Sequence, residues 1–225
     1  MKLMYAVGGS LSTWGREELR YSIRSACMHL PIEDVWVVGD VPEWFVGRGI
    51  AMPDHEYHQK SIASKVLLAL DEGLTGEFIH CNDDFFFLGF DPRMRYAGLL
   101  SNHVKHMEAS RRPDNWFLRS QRDVLNVCRE MGIEEPLNFA THTPVLMTDE
   151  GARAAAELAM SLPIGGDMMT LYWALNEVEI VRGKDAKSVP YGSDIYYSSA
   201  PKVEETPEFR AWLQEQFPTP SPYEL

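Results

Sequence analysis

The chain is poor in cysteine: there are three, Cys27, Cys81 and Cys128, widely spaced and with no C-x-x-C pair. An odd, scattered set excludes a disulfide framework and a zinc ribbon, and fits small buried thiols in a reducing compartment. Long apolar runs are missing too. No window approaches a transmembrane span, and the apolar run in MKLMYAVGG is too short for a secretory signal. The expected location is the cytoplasm. Positive charge is scarce, with 21 Lys and Arg against 33 Asp and Glu and a net charge of −12. Such a field disfavours nucleic acid and anionic membranes except where basic residues cluster. No G-x-G-x-x-G follows the first strand, so a dinucleotide fingerprint is absent. The D-x-D-x-T and paired-histidine signatures of a metal phosphohydrolase are missing as well. There is no internal repeat, and no low-complexity stretch before a Pro-rich end.

What is present reads as one globular domain. Hydrophobic residues make up 45% and charged residues 24% of 225 positions, enough for a sizeable core. Strands are expected at Lys2–Val7, Asp34–Val38, Gly49–Met52 and around Phe78–His80, and helices at Glu17–Leu30 and Ser61–Gly73. This alternation predicts an α/β fold with a mainly parallel central sheet flanked by helices. A further helix is expected at Asp123–Met131, a strand-like run at Phe139–Met147, and helices at Gly151–Met160 and Asp167–Asn176. The catalytic-type domain spans residues 1–200. Residues 201–225 add a short helix around Phe209, Leu213 and Phe217, then the Pro-rich tail.

The chain is organised around EFIHCNDDFFFL, residues 77–88. A short buried strand runs into Asn82, Asp83 and Asp84, and three phenylalanines follow. Two adjacent carboxylates between apolar stretches are costly to bury without a partner. A hard divalent cation, Mg2+ or Mn2+, suits their oxygens. In parallel α/β sheets the carboxyl end of a central strand is where ligands bind. Asp83 and Asp84 are therefore the candidate metal ligands, Asp84 also a candidate catalytic group, and Asn82 a donor-side contact. The competing reading is an Asp-Asp turn capping a hairpin.

Other candidates surround this motif. Gly8 and Gly9 end the first strand and would let backbone approach a ligand closely; a plain turn is the alternative. Arg20 and Arg24 share one helix face and could fork onto a phosphate, or form a solvated ladder with Glu17. Asp40 sits where the second strand hands over to a loop. Lys65 interrupts a small apolar helix face, either to snorkel or to reach an anionic ligand. His142 lies between apolar stretches and is the candidate general acid/base or extra metal ligand. Asp167 is read as a helix N-cap, with a catalytic role as the alternative. Residues 103–122 carry five basic and two acidic residues, with Trp116 and Phe117 interleaved. Arg111, Arg112 and Trp116 could thus meet an acceptor bearing phosphate or bases, or simply balance the acidic body.

Several segments, in order, resemble the Stealth family: REELRYSIRS (Arg16–Ser25), VWVVGDVPEW (Val35–Trp44), Asp54–His55, HCNDDFFFL (His80–Leu88) and THTPV (Thr141–Val145). That family includes capsular polysaccharide phosphotransferases and the lysosomal-enzyme N-acetylglucosamine phosphotransferase. The resemblance covers roughly residues 15–150, with a weaker echo at Asp185–Lys187. It implies a glycosyltransferase-A-like, Rossmann-like fold, a nucleotide-sugar donor and a divalent metal. Asp83 and Asp84 match its acidic pair, Arg20 and Arg24 its paired arginines, and His142 the histidine of its H-x-P segment. The family's opening Val-Asp-Gly motif is replaced by YAVGGSLSTW, which has no acidic residue.

The expected function is a metal-dependent transferase moving a sugar or sugar phosphate from a nucleotide-sugar donor to an acceptor hydroxyl. The acceptor is a glycan or, alternatively, a modified base in viral DNA. A non-catalytic sugar-nucleotide-binding module is the remaining alternative.

Overall fold

The computed structural model describes residues 1–8, 16–110, 115–199 and 206–225. Five strands form the central sheet: β1 (Lys2–Val7), β2 (Asp34–Gly39), β3 (Arg48–Ala51), β4 (Glu77–Cys81) and β7 (Val145–Thr148), in the order β3-β2-β1-β4-β7. The first four are parallel, and β7 runs antiparallel to β4. The α/β expectation therefore holds.

Both faces of the sheet are covered, which is why β1 and β2 read as continuous apolar runs. Leu3, Tyr5 and Val7 of β1 pack with Val35 and Val37 against Leu19, Ile23 and Ala26 of helix α1 (Glu17–His29). Met4 and Ala6 point the other way, joining Trp36, Val38 and Phe78. That second core is closed by α2 (His58–Asp71), α3 (Leu100–Ser110), α4 (Trp116–Glu130), α5 (Asp149–Ser161) and α6 (Met168–Leu175).

Two small ribbons lie outside the main sheet. β5 (Phe85–Phe87) pairs antiparallel with β9 (Tyr196–Ser198), and β6 (Met94–Tyr96) pairs parallel with β8 (Ile180–Arg182). Because β5 pairs with β9 and not with β4, Asn82–Asp84 is no hairpin turn; it is the passage from one sheet to another. The last helix, α7 (Pro207–Gln216), buries Phe209 and Leu213 against Tyr21, Phe86 and Tyr197.

Some boundaries differ from expectation. Helix α2 starts at His58, before Ser61, and Ser61 Oγ bonds Asp54 Oδ1 at 2.8 Å instead of capping the helix. Helix α4 starts at Trp116, because the Asn115 side chain accepts from Leu118 N at 3.1 Å and supplies an N-cap. The run Phe139–Met147 is strand only from Val145. His142 sits at φ 49°, in the left-handed region, and Pro144 cannot donate to a ladder.

Candidate active site

The sheet runs from β1 through β2 to β3 on one side, while β4 lies on the other. The strand order thus reverses between β1 and β4, and the crevice at their carboxyl ends is the topological switch point. The register pairs Tyr5 with Cys81, the last residue of β4, so Asp83 follows two residues beyond the strand end at that crevice.

Asp83 and Asp84 are each met by a cation. Arg16 Nη1 lies 3.3 Å from Asp83 Oδ2, and the same guanidinium reaches Asp40 Oδ2 at 2.7 Å and the Gly8 carbonyl. Arg16 adopts φ 67° just ahead of α1, and this left-handed turn aims its side chain across the crevice. Asp84 Oδ2 accepts from Ser198 Oγ at 2.8 Å and lies 3.0 Å from Lys187 Nζ. Burial, and then the neighbouring Asp84 charge, push the Asp83 carboxyl up to about 7 against the pull of Arg16. Two carboxylates held this close repel, and added positive charge relieves them.

The second half of the site is a histidine–carboxylate couple. His142 Nδ1 lies 2.9 Å from Asp185 Oδ1. Burial raises the Asp185 carboxyl, but the bond to His142 and the Lys187 backbone outweigh it and leave it below the usual range. Asp185 caps the short 3-10 turn Ala186–Ser188, so one turn places Asp185 on His142 and Lys187 on Asp84. A cleft beside His142 is lined among others by His58, His80, Asn82, Phe85, His142 and Asp167, and Asn82 is its link to the acidic pair that follows in sequence.

Arg20 and Arg24 pair with acids, Arg20 with Glu17 as the ladder alternative had it. Arg24 Nη2 lies 2.7 Å from Glu224 Oε2, and Arg20 Nε lies 3.3 Å from Glu17 and 3.7 Å from Glu224. The Glu224 side chain is 2% exposed. Their face of α1 therefore anchors the C-terminal segment, and Arg16 is the guanidinium on the acidic pair. Lys65 is also redirected. It is 2% exposed, donates to the Val7 carbonyl at 2.8 Å and closely ion-pairs with Asp54, bracing the end of β1. Asp54 stands beside Gly8, where a Cβ would lie 3.6 Å from its Oδ2.

The Asp40 carboxylate meets Arg16, and its backbone N–H donates to the Val7 carbonyl at 3.3 Å. Asp167 caps α6, accepting from Met169 N at 3.3 Å and Thr170 Oγ1 at 2.6 Å, and burial raises its carboxyl. Trp116 is 44% exposed, its ring 5.8 Å from that of His58 at the cleft. Gly9, Arg111 and Arg112 lie outside the described residues. Arg16, Asp185, Lys187 and Ser198 were not singled out individually by sequence. Arg16 and Asp185–Lys187 did fall inside segments that resemble the family, which was the one available signal.

Asp83 and Asp84 offer the oxygen donors that magnesium or manganese takes, and such ions are commonly held by one or two carboxylates with substrate phosphates completing the shell. Among the described residues no group of three or more His, Cys, Asp and Glu could hold a metal alone. The oxygens of Asp83 and Asp84 suit such an ion, and the rest of its shell would come from water or substrate.

No family model and no curated protein matches the chain. Solved structures similar in shape include two that cover nearly all of this chain. One is 2-C-methyl-D-erythritol 4-phosphate cytidylyltransferase from Thermus thermophilus, at 12% identity over 97% of this chain and 98% of its own, with a TM-score of 0.43. The other is the glycosyltransferase GlyE of Streptococcus pneumoniae, at 10% identity over 100% of this chain and 67% of its own, also with a TM-score of 0.43. Neither likeness assigns an activity to this chain. No helix among the described residues is long and apolar enough to cross a membrane.

Proposed function

We propose that the protein is a metal-dependent transferase of the glycosyltransferase-A type, with a Stealth-like site, moving a sugar or sugar phosphate from a nucleotide-sugar donor to an acceptor hydroxyl. The observation that carries this reading is the pair Asp83–Asp84 at the switch-point end of β4, flanked by Arg16 and Lys187 and joined through one turn to the His142–Asp185 couple.

Asp83 and Asp84 would hold Mg2+ or Mn2+, which supplies Lewis-acid neutralisation of a donor diphosphate. Arg16 and Lys187 add fixed positive charge beside the same carboxylates, where it offsets negative charge developing on the leaving group. Asp185 accepts from His142 Nδ1, fixes that tautomer and leaves Nε2 basic. His142 Nε2 takes the proton from the acceptor hydroxyl. Gly8 at the end of β1 and Asn82 ahead of the acids are donor-side contacts. Trp116, beside His58 of the cleft lining, is on the acceptor side.

The test is a labelled-donor assay with and without chelator. Release of nucleoside monophosphate marks sugar-phosphate transfer, and release of nucleoside diphosphate marks sugar transfer. Failure of every uridine and guanosine sugar nucleotide, with manganese, to stabilise the protein thermally would remove the reading.

A further inference from the structure

His80 takes no part in the chemistry proposed above, yet it faces the same cleft. It is the fourth residue of β4, paired in the ladder with Met4 on one side and Val145 on the other, so its backbone cannot turn outward. Its side chain lies on the same face as Phe78, and the residue is 3% exposed. Its Nε2 is buried without a hydrogen-bond partner among the described residues, and it lines the cleft. An unsatisfied buried polar atom is costly and rare. Where it faces an opening, a ligand is the natural partner.

The rest of the lining says what kind of ligand. Phe117 and Phe139 supply aromatic walls, and Phe139 is held by Trp173 at 5.2 Å and Tyr96 at 6.2 Å between ring centroids. The polar groups are His58, Gln59, His80, His142, Asn82 and Thr143, with Asp167 already spent on the α6 cap. Among the described residues no Lys or Arg lines the cleft; Arg16 and Lys187 sit on the acidic pair instead. Burial also lowers His58 and brings His80 down to about 4, which keeps both rings neutral. The cavity volume is about 100 Å3. That is several times the ~10–15 Å3 one water needs, and below the ~300 Å3 at which pockets begin to take a whole drug-sized ligand.

We propose that this cleft is a subsite for one neutral sugar ring, and that His80 Nε2 hydrogen-bonds a ring hydroxyl and so selects the sugar. The ring's C–H face packs on Phe117 and Phe139, and its hydroxyls meet the neutral polar groups. The inference rests on the transferase reading and deepens it. The ring belongs either to the donor or to the acceptor, and the experiment has an arm for each.

Wild type, His80→Phe, His80→Gln and Phe117→Ala are titrated calorimetrically at saturating manganese, after circular dichroism confirms folding. In the donor arm, UDP and GDP are compared with UDP-glucose and GDP-mannose. In the acceptor arm, methyl glucoside and methyl mannoside are titrated into the protein–UDP–manganese and protein–GDP–manganese complexes. The expected result is a sugar-dependent gain of about tenfold in one arm in wild type. It is lost in His80→Phe, reduced in Phe117→Ala and partly kept in His80→Gln, with bare diphosphate affinity unchanged throughout. A gain kept in His80→Phe, or diphosphate binding with no sugar contribution in either arm, overturns the inference and leaves the transferase reading standing. Failure of wild type to bind any nucleotide sinks both, because the subsite presupposes the donor.

Discussion

The role of Arg24 separates two physical accounts of α1. In one it meets a donor phosphate; in the other it is half of a structural latch. Glu224 receives Arg24 Nε at 2.9 Å and Nη2 at 2.7 Å, and its own Oε1 accepts from Ser221 N at 2.7 Å. The two side chains are 11% and 2% exposed. Replacing Glu224 by Gln keeps the shape and removes the charge opposite a part-buried guanidinium, which keeps its bond to the Phe217 carbonyl, a change that costs about 1.5–3 kcal/mol. At roughly 2–4 °C per kcal/mol for a chain of this size, the melting temperature falls by about 3–12 °C. Arg24→Met produces a fall of the same scale, and the double mutant falls by much less than the sum. Burial raises the Glu224 carboxyl, but bonds from Arg24 and Ser221 outweigh it and lower the net value. The latch therefore contributes fully above the ordinary Glu range of about 4.3, and its contribution is lost as pH falls through the lower folded value. The deficit of Glu224→Gln shrinks in acid accordingly. Scanning calorimetry at several pH values, with nucleotide binding in parallel, is the assay. If Arg24→Met keeps its melting temperature within about 2 °C and loses nucleotide binding, the arginine is a phosphate ligand and the latch account is wrong.

Other outcomes follow from the same contacts. Asp84→Asn should abolish manganese-dependent stabilisation by nucleotides while the chain stays folded, read by thermal shift; retention of the metal effect would move the cation elsewhere. Manganese should bind more tightly as pH rises through the range where Asp83 loses its proton, since its carboxyl is raised and the metal takes the ionised form; flat affinity across the neutral range would count against Asp83 as a ligand. His142→Ala should lower turnover by about 10²–10⁴-fold, whereas Asp185→Asn should cost less and shift the pH–rate profile; an unchanged profile would detach Asp185 from the histidine. Gly39 holds φ 124°, and a Cβ there would collide with the Val7 carbonyl oxygen. Gly39→Ala should therefore destabilise by more than about 2 kcal/mol, seen as a reduced denaturation midpoint.

Local pattern was enough for the four parallel strands and their acidic end, while the antiparallel direction of β7 and the pairing of the two outer ribbons were not legible in it. Continuous apolar runs in β1 and β2, helical spacing in α1, and two acids closing β4 are properties of neighbouring residues, and each follows from burial cost and backbone period. Asp167 as a cap was legible for the same reason. Contacts across long separations were another matter. Arg16, Arg20 and Arg24 are alike in sequence, and what divides them is that Arg16 takes a left-handed turn toward Asp83 while the other two meet Glu224, 200 residues beyond Arg24. Lys65 interrupts a small apolar helix face, a pattern that fits snorkelling and a ligand alike; the fold brings Asp54 and the Val7 carbonyl to its tip. His142 and Asp185, and Asp84 and Lys187, likewise meet only once the turn after β8 packs back over the crevice. Which residues carry charge is written in the sequence; which charges face each other depends on the closure of long loops, and that only the tertiary structure decided.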